Sequence, residues 1–220
     1  MASYSTNTQT LQRSIDACDA RTDPFNHWIV DDVFDTEAVD GLLALPFDAP
    51  RLEYDDGRRA ANNDTRSYFD PGRREEFEVC ETVAESFQDP ETVKKIEAMC
   101  GIDLSGAYLR LEYAQDREGF WLHPHKDISV KMLSMLVYLT DAPDGEEWGT
   151  DIYSGPKEED FFQATPHKRN RALIFVPGSD TWHGYRRDRK ITGVRRTLIV
   201  NYVTDAWINR HELAYPDQPV

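Results

Sequence analysis

His125 and Asp127 stand two residues apart in the run Trp121-Leu122-His123-Pro124-His125-Lys126-Asp127, and His183 lies far downstream in Trp182-His183-Gly184. At the end of a strand, an imidazole and a carboxylate separated by one residue can converge on one cation, and an imidazole from a second strand can complete the set. Two imidazoles and a carboxylate on one face of an octahedral ion leave the opposite face open. That is the donor arrangement of non-haem Fe(II) centres, which take a chelating co-substrate and dioxygen side by side. H-x-D alone is a common tripeptide, so its surroundings have to carry the reading.

Those surroundings are strand-like. Arg171-Ala172-Leu173-Ile174-Phe175-Val176-Pro177-Gly178, ahead of His183, is an apolar run closed by a turn signal, as in a buried strand. Arg195, twelve residues after His183, opens a second such run, Thr197-Leu198-Ile199-Val200-Asn201-Tyr202-Val203. A guanidinium there can enter the interior and hold a carboxylate by two parallel hydrogen bonds, a task that suits a planar fork better than an ammonium.

On these residues the segment from about Gly106 to Asp205 resembles the double-stranded β-helix core of Fe(II)/2-oxoglutarate-dependent oxygenases, in particular the prolyl-4-hydroxylase-like branch. The resemblance implies iron on His125, Asp127 and His183, with Arg195 on the distal carboxylate of 2-oxoglutarate. It also assigns Tyr138, in Val137-Tyr138-Leu139, to that carboxylate. The implied cofactors are Fe(II), 2-oxoglutarate and O2, and the implied reaction is hydroxylation of an unactivated C–H with release of succinate and CO2. Related halogenases carry a small residue in place of this carboxylate, so Asp127 fits hydroxylation or desaturation. One departure concerns the substrate: Leu122 stands where prolyl-hydroxylase-like sequences often carry Tyr, three residues before the first metal His. Trp121, His123 and Lys131 are the candidate substrate contacts, His123 because it shares strand parity with His125.

Two other classes use the same residues. A zinc- or manganese-dependent hydrolase or cupin-like isomerase would bind its metal and a water on the triad, but would leave Arg195 and Tyr138 without a task. A non-catalytic ligand-binding barrel would have to retain buried His and Asp at a cost.

The elements that must position these groups read as a mainly β fold with flanking helices: a double-stranded β-helix, or jelly-roll, cupin-like barrel, with N-terminal helical support. At 220 residues the chain suits one domain. Residues 1–22 are polar and read as a flexible N-terminus, 23–105 as a strand, a loop and supporting helices, 106–205 as the core, and 206–220 as a tail. Asp35 is a helix N-cap ahead of Pro46. Pro50 to Gly72 is polar and turn-rich, readable as a solvated loop or as a lid over the site mouth. Phe77, Cys80, Ala84 and Phe87 recur at helical spacing, as do Val93, Ile96 and Cys100, with Asp89, Pro90 and Gly101 as cap, first turn and stop. Gly106–Tyr113, Lys131–Thr140 and Gly149–Tyr153 read as strands, and the acidic Pro156–Asp160 as loop. His27 reads as structural; His167 and His211 receive no role.

Forty acidic residues against 25 basic ones give a net charge of -15, which repels phosphate backbones and anionic lipid. The expected partner is a small-molecule substrate, which the basic residues near the site would favour as an anion. Nucleic acid and membrane are not expected, and the oligomeric state stays open. Cys18, Cys80 and Cys100 form no C-x-x-C pair and fit a reducing, cytoplasmic compartment.

Overall fold

The computed structural model describes residues 2–49, 57–58 and 66–220. Its strands are, in chain order, β1 (Asp19–Arg21), β2 (His27–Val30), β3 (Ser67–Tyr68), β4 (Tyr108–Asp116), β5 (Leu122–His125), β6 (Lys131–Tyr138), β7 (Asp151–Tyr153), β8 (Phe161–Ala164), β9 (Arg171–Phe175), β10 (His183–Tyr185) and β11 (Arg195–Val203). They form two antiparallel sheets, of order β1-β2-β9-β6-β11-β4-β3 and β5-β10-β7-β8. Ile152 of the smaller sheet packs with Ile29, Leu173 and Phe175 of the larger, so the two face each other across an apolar layer. The jelly-roll expectation is met by two facing sheets; the expected closure into a barrel is not, because each sheet keeps two edge strands.

Period-two alternation divides the larger sheet. Leu109, Leu111 and Tyr113 of β4, Leu133, Met135 and Val137 of β6, and Leu198, Val200 and Tyr202 of β11 join the core under the helices. Their neighbours Arg110, Glu112, Ser134, Leu136, Arg195, Thr197 and Ile199 face a cavity between the sheets. One side of each strand therefore anchors it, and the other is free for chemistry.

The supporting helices are α1 (Ala2–Asp16), α2 (Thr36–Ala44), α3 (Pro71–Glu76), α4 (Glu78–Gln88) and α5 (Pro90–Cys100). The expected caps are in place: Asp35 accepts from Ala38 N at 2.8 Å, Asp89 accepts from Glu91 N and Thr92 N, and Gly101 ends α5 in the left-handed region at φ 68°. Residues 2–16 of the polar N-terminus form the helix α1. It is held by burial of Leu11 and Ile15 and by Asn7 Nδ2 donating to Ser86 Oγ at 3.0 Å. β8 and α3 were also unanticipated; Asp70 caps α3 through Arg73 N, with Pro71 in its first turn. Among the described residues no helix is long and apolar enough to cross a membrane.

Candidate active site

β5 and β10 pair antiparallel with His183 directly opposite His125, so strand register brings the two imidazoles together, ring centroids 4.3 Å apart. Gly184 permits the approach: a Cβ there would meet the carbonyl oxygens of Leu122 and His123 at 2.8 and 3.0 Å. The two rings are held alike. His125 Nδ1 lies 2.8 Å from His123 O, and His183 Nδ1 lies 3.0 Å from Thr181 O. A carbonyl oxygen only accepts, so Nδ1 carries the proton in each ring and Nε2 is left as the lone-pair atom. Burial lowers both imidazole pKa values, that of His125 to about 3 with His183 adding to the effect. Both rings are neutral, as metal ligands must be.

Asp127 follows the end of β5. Its Oδ2 accepts from Ser134 Oγ at 2.5 Å and its Oδ1 from Lys131 Nζ at 2.6 Å. Burial opposes ionisation of the carboxyl, but the Lys131 ammonium and the hydrogen bonds from Lys131 and Ser134 outweigh it and hold the group well below the usual carboxylate range. The Asp127 charge is also felt by both imidazoles. All three residues line one cavity of ≈ 970 Å³. Among the described residues no three His, Cys, Asp or Glu side chains are already drawn together as a metal cage; Asp127 is turned to Lys131 and Ser134 instead. The chemistry of the donor set still fits a divalent cation, because it offers two neutral imidazoles whose Nε2 atoms have no hydrogen-bond partner among the described residues and an ionised carboxylate lining the same cavity.

Away from the histidines, β11 presents Arg195 and Thr197 inward. Arg195 is buried, its Nε donating to Trp148 O and its Nη1 to Asp116 Oδ2, both at 2.6 Å. The guanidinium lies 5.0 Å from the centre of the Tyr185 ring. Tyr185 and Thr197 also line the cavity, and their buried hydroxyls have no hydrogen-bond partner among the described residues. A cation beside two unsatisfied buried hydroxyls suits a carboxylate. Tyr138 does not take the part expected of it: its hydroxyl donates to Thr150 Oγ1 at 3.0 Å and accepts from Thr150 N, so it braces the end of the cavity without lining it. Arg196 points to the other face, into a shallow groove with Thr140 and Trp148.

Beyond Asp127 the cavity wall is a charged network. Arg110 donates to Glu212 at 2.6 Å, to Asn201 Oδ1 at 3.1 Å and to Glu112 at 3.0 Å, and Asn201 Nδ2 donates to Ser134 Oγ at 2.8 Å. Arg66 clamps the other side of Glu112. A continuous chain of contacts thus runs from Asp127 through Ser134 and Asn201 to Arg110. Sequence reading missed these residues, although alternation from Tyr113 and from Arg195 points toward the inward set.

The remaining expected contacts divide. His123 lines the cavity, with its backbone N donating to Gly57 O at 3.1 Å. Lys131 lines it too, committed to Asp127. Trp121 is a correction: it is buried among Phe120, Trp148, Tyr185 and Ile191, outside the cavity lining. Gly57, Arg58 and Arg66 of the polar segment reach the cavity; residues 50–56 and 59–65, on which the lid reading rests, lie outside those described. His27 is buried with Nδ1 2.9 Å from Phe25 O, a structural placement.

Solved structures share this architecture. A Pseudomonas putida prolyl-4-hydroxylase matches 88% of this chain and 98% of its own at TM-score 0.57 and 12% identity. A viral collagen prolyl hydroxylase from Paramecium Bursaria Chlorella virus-1, solved with 2-oxoglutarate, matches 81% and 96% at TM-score 0.54 and 15% identity. Prolyl 4-hydroxylases from Phytophthora capsici give TM-score 0.58 at 13% identity, over 92% of this chain and 65% of that one. No family model matches the chain, and no curated protein matches it by sequence. At these identities the likeness defines the fold: the two sheets are the double-stranded β-helix of the prolyl-4-hydroxylase structures.

Proposed function

We propose that this protein is an Fe(II)- and 2-oxoglutarate-dependent dioxygenase that hydroxylates an unactivated C–H bond of an anionic small molecule. The observation that carries the reading is the matched pair His125 and His183, each with Nδ1 tied to the carbonyl two residues upstream and Nε2 without a hydrogen-bond partner among the described residues, sharing a cavity with Asp127. His125, Asp127 and His183 would hold Fe(II). With bound 2-oxo acid and O2, iron supplies the oxidising power for C–H cleavage, releasing succinate and CO2. Arg195, already charge-paired with Asp116 through Nη1, would donate from its remaining guanidinium N–H groups to the 5-carboxylate, and the Tyr185 and Thr197 hydroxyls would donate beside it. Leu136 and Ile199 add apolar surface to the cavity lining. Ser134 orients the Asp127 carboxylate through Oδ2.

Charge supports an anionic substrate. Six Arg and Lys side chains line the cavity against four Asp and Glu, in a chain of net charge -15. A locally positive cavity in an acidic molecule concentrates small anions and offers nothing to nucleic acid or anionic lipid outside it. Three free cysteines suit a reducing, cytoplasmic setting. The test is conversion of 2-oxoglutarate to succinate by Fe(II)-loaded protein in air, followed by mass spectrometry across a panel of anionic metabolites. Succinate formation that requires Fe(II) and rises with one member of the panel supports the proposal; hydrolysis of a panel member with zinc, and no succinate, contradicts it.

A further inference from the structure

The two oxygens of Asp127 are held by unlike partners. Oδ2 is tied to Ser134, which Asn201 and then Arg110 brace from within the sheet. Among the described residues Oδ1 is tied to Lys131 alone, whose long side chain lines the cavity. Both members of this pair are largely buried, at 17% and 10% side-chain exposure, and the turn Ile128–Lys131 is closed by Lys131 N donating to Ile128 O at 3.0 Å. Other cavity cations have different partners: Arg195 has Asp116, Arg110 has Glu112 and Glu212, and Lys126 has Ser179 O. Lys131 is the cation whose carboxylate partner is itself a proposed metal ligand.

We propose that Lys131 is the resident counter-ion of Asp127, displaced when a divalent cation takes Oδ1, and that the released ammonium becomes the binding point for an anionic group of the substrate. This rests on the metal-centre reading above. A mostly buried ammonium that loses its carboxylate requires another anion or must reach water, since an isolated buried charge is costly. The register shows which anion it can serve. Lys131 pairs across the strand with Val203, whereas Arg195, the proposed 2-oxoglutarate receptor, pairs with Asp116 at the other end of β11. Those two positions of β11 lie eight residue steps apart, roughly 26 Å at the rise of an extended chain. The Lys131 end therefore belongs to the substrate, and metal binding precedes substrate binding.

The experiment uses chelator-treated full-length protein, Mn(II) as the metal probe, and reductive methylation of lysines read by mass spectrometry. Lys131 should be protected without metal, methylated with Mn(II), and protected again when sulfate is added to the Mn(II)-loaded protein. Lys131→Met should bind Mn(II) about tenfold more tightly or better, the scale on which one opposite charge biases a neighbouring carboxylate, while Lys131→Arg stays near wild type. Circular dichroism confirms that each variant is folded. Lys131 labelling that ignores Mn(II), or equal Mn(II) affinity in wild type and Lys131→Met, overturns the counter-ion role. Labelling that follows Mn(II) but not sulfate overturns the anion site. Absence of Mn(II) binding in every protein instead overturns the metal-centre reading beneath it.

Discussion

Arg195→Leu should injure the protein in two separable ways. In the native state the Arg195 guanidinium neutralises Asp116, whose side chain is fully buried, at 2.6 Å. Removing the cation from such a pair costs about 3–5 kcal/mol, a large part of a typical total of about 5–15 kcal/mol. For a chain of this length that corresponds to a fall in Tm of roughly 6–20 °C. Asp116→Asn in the same chain should recover most of the loss, because an amide needs no counter-charge. The second injury is to co-substrate binding, where loss of a charge-assisted contact costs about 2–5 kcal/mol, or roughly 30- to several-thousand-fold in Kd. Asp116→Asn cannot repair that, and Arg195→Lys should repair only part. Denaturant unfolding followed by tryptophan fluorescence reads the first effect, and calorimetric titration of the Mn(II)-loaded protein with 2-oxoglutarate reads the second. Arg196→Leu is the control, since its side chain faces the outer groove. A double variant as unstable as Arg195→Leu would refute the charge account of stability, and an unchanged 2-oxoglutarate affinity would refute the carboxylate assignment.

Three further outcomes are expected. Gly184→Ala should weaken Mn(II) binding and lower stability by about 1–3 kcal/mol, because its Cβ would press on the Leu122 and His123 carbonyl oxygens and part His183 from His125; unaltered metal affinity would show that the approach is not set there. Arg110→Met should cost about 3–5 kcal/mol in denaturant unfolding, since Glu112 and Glu212 both lean on this guanidinium; a loss below about 1 kcal/mol would mean the network is cheaply rearranged. Stability should also decline as pH falls below about 6.5, the unfolded histidine value: burial lowers the His27 pKa, so the native ring stays neutral while the unfolded chain takes up a proton. His27→Phe should reduce the slope of that limb by the His27 share, the buried rings of His125, His167 and His183 supplying the rest.

What could be read from the sequence was local. The H-x-D tripeptide, the distant His183 and the caps Asp35, Asp89 and Gly101 are matters of spacing, and alternation in β11 separates Arg195 from Arg196. What could not be read depends on non-local partners. Asp116 meets Arg195 because β4 and β11 pair in that register, and Tyr185 reaches the cavity because β10 brings it beside Arg195. Tyr138 has the same parity as the inward-facing Ser134 and Leu136, yet Thr150, 12 residues on, takes its hydroxyl. Trp121 precedes β5 and turns into a separate apolar cluster. The helix α1 has few apolar residues of its own; burial of Leu11 and Ile15 and the Asn7–Ser86 hydrogen bond supply what its polar sequence conceals.

The central claim is that His125, Asp127 and His183 hold Fe(II) with adjacent positions open to a 2-oxo acid. Anaerobic addition of Fe(II) and then 2-oxoglutarate should produce a weak visible charge-transfer band, which requires the 2-oxo acid to chelate the bound iron. The band should be absent from His183→Ala protein that remains folded by circular dichroism. A wild-type protein that binds zinc yet never develops the band, or a His183→Ala variant that develops it unchanged, would contradict the account.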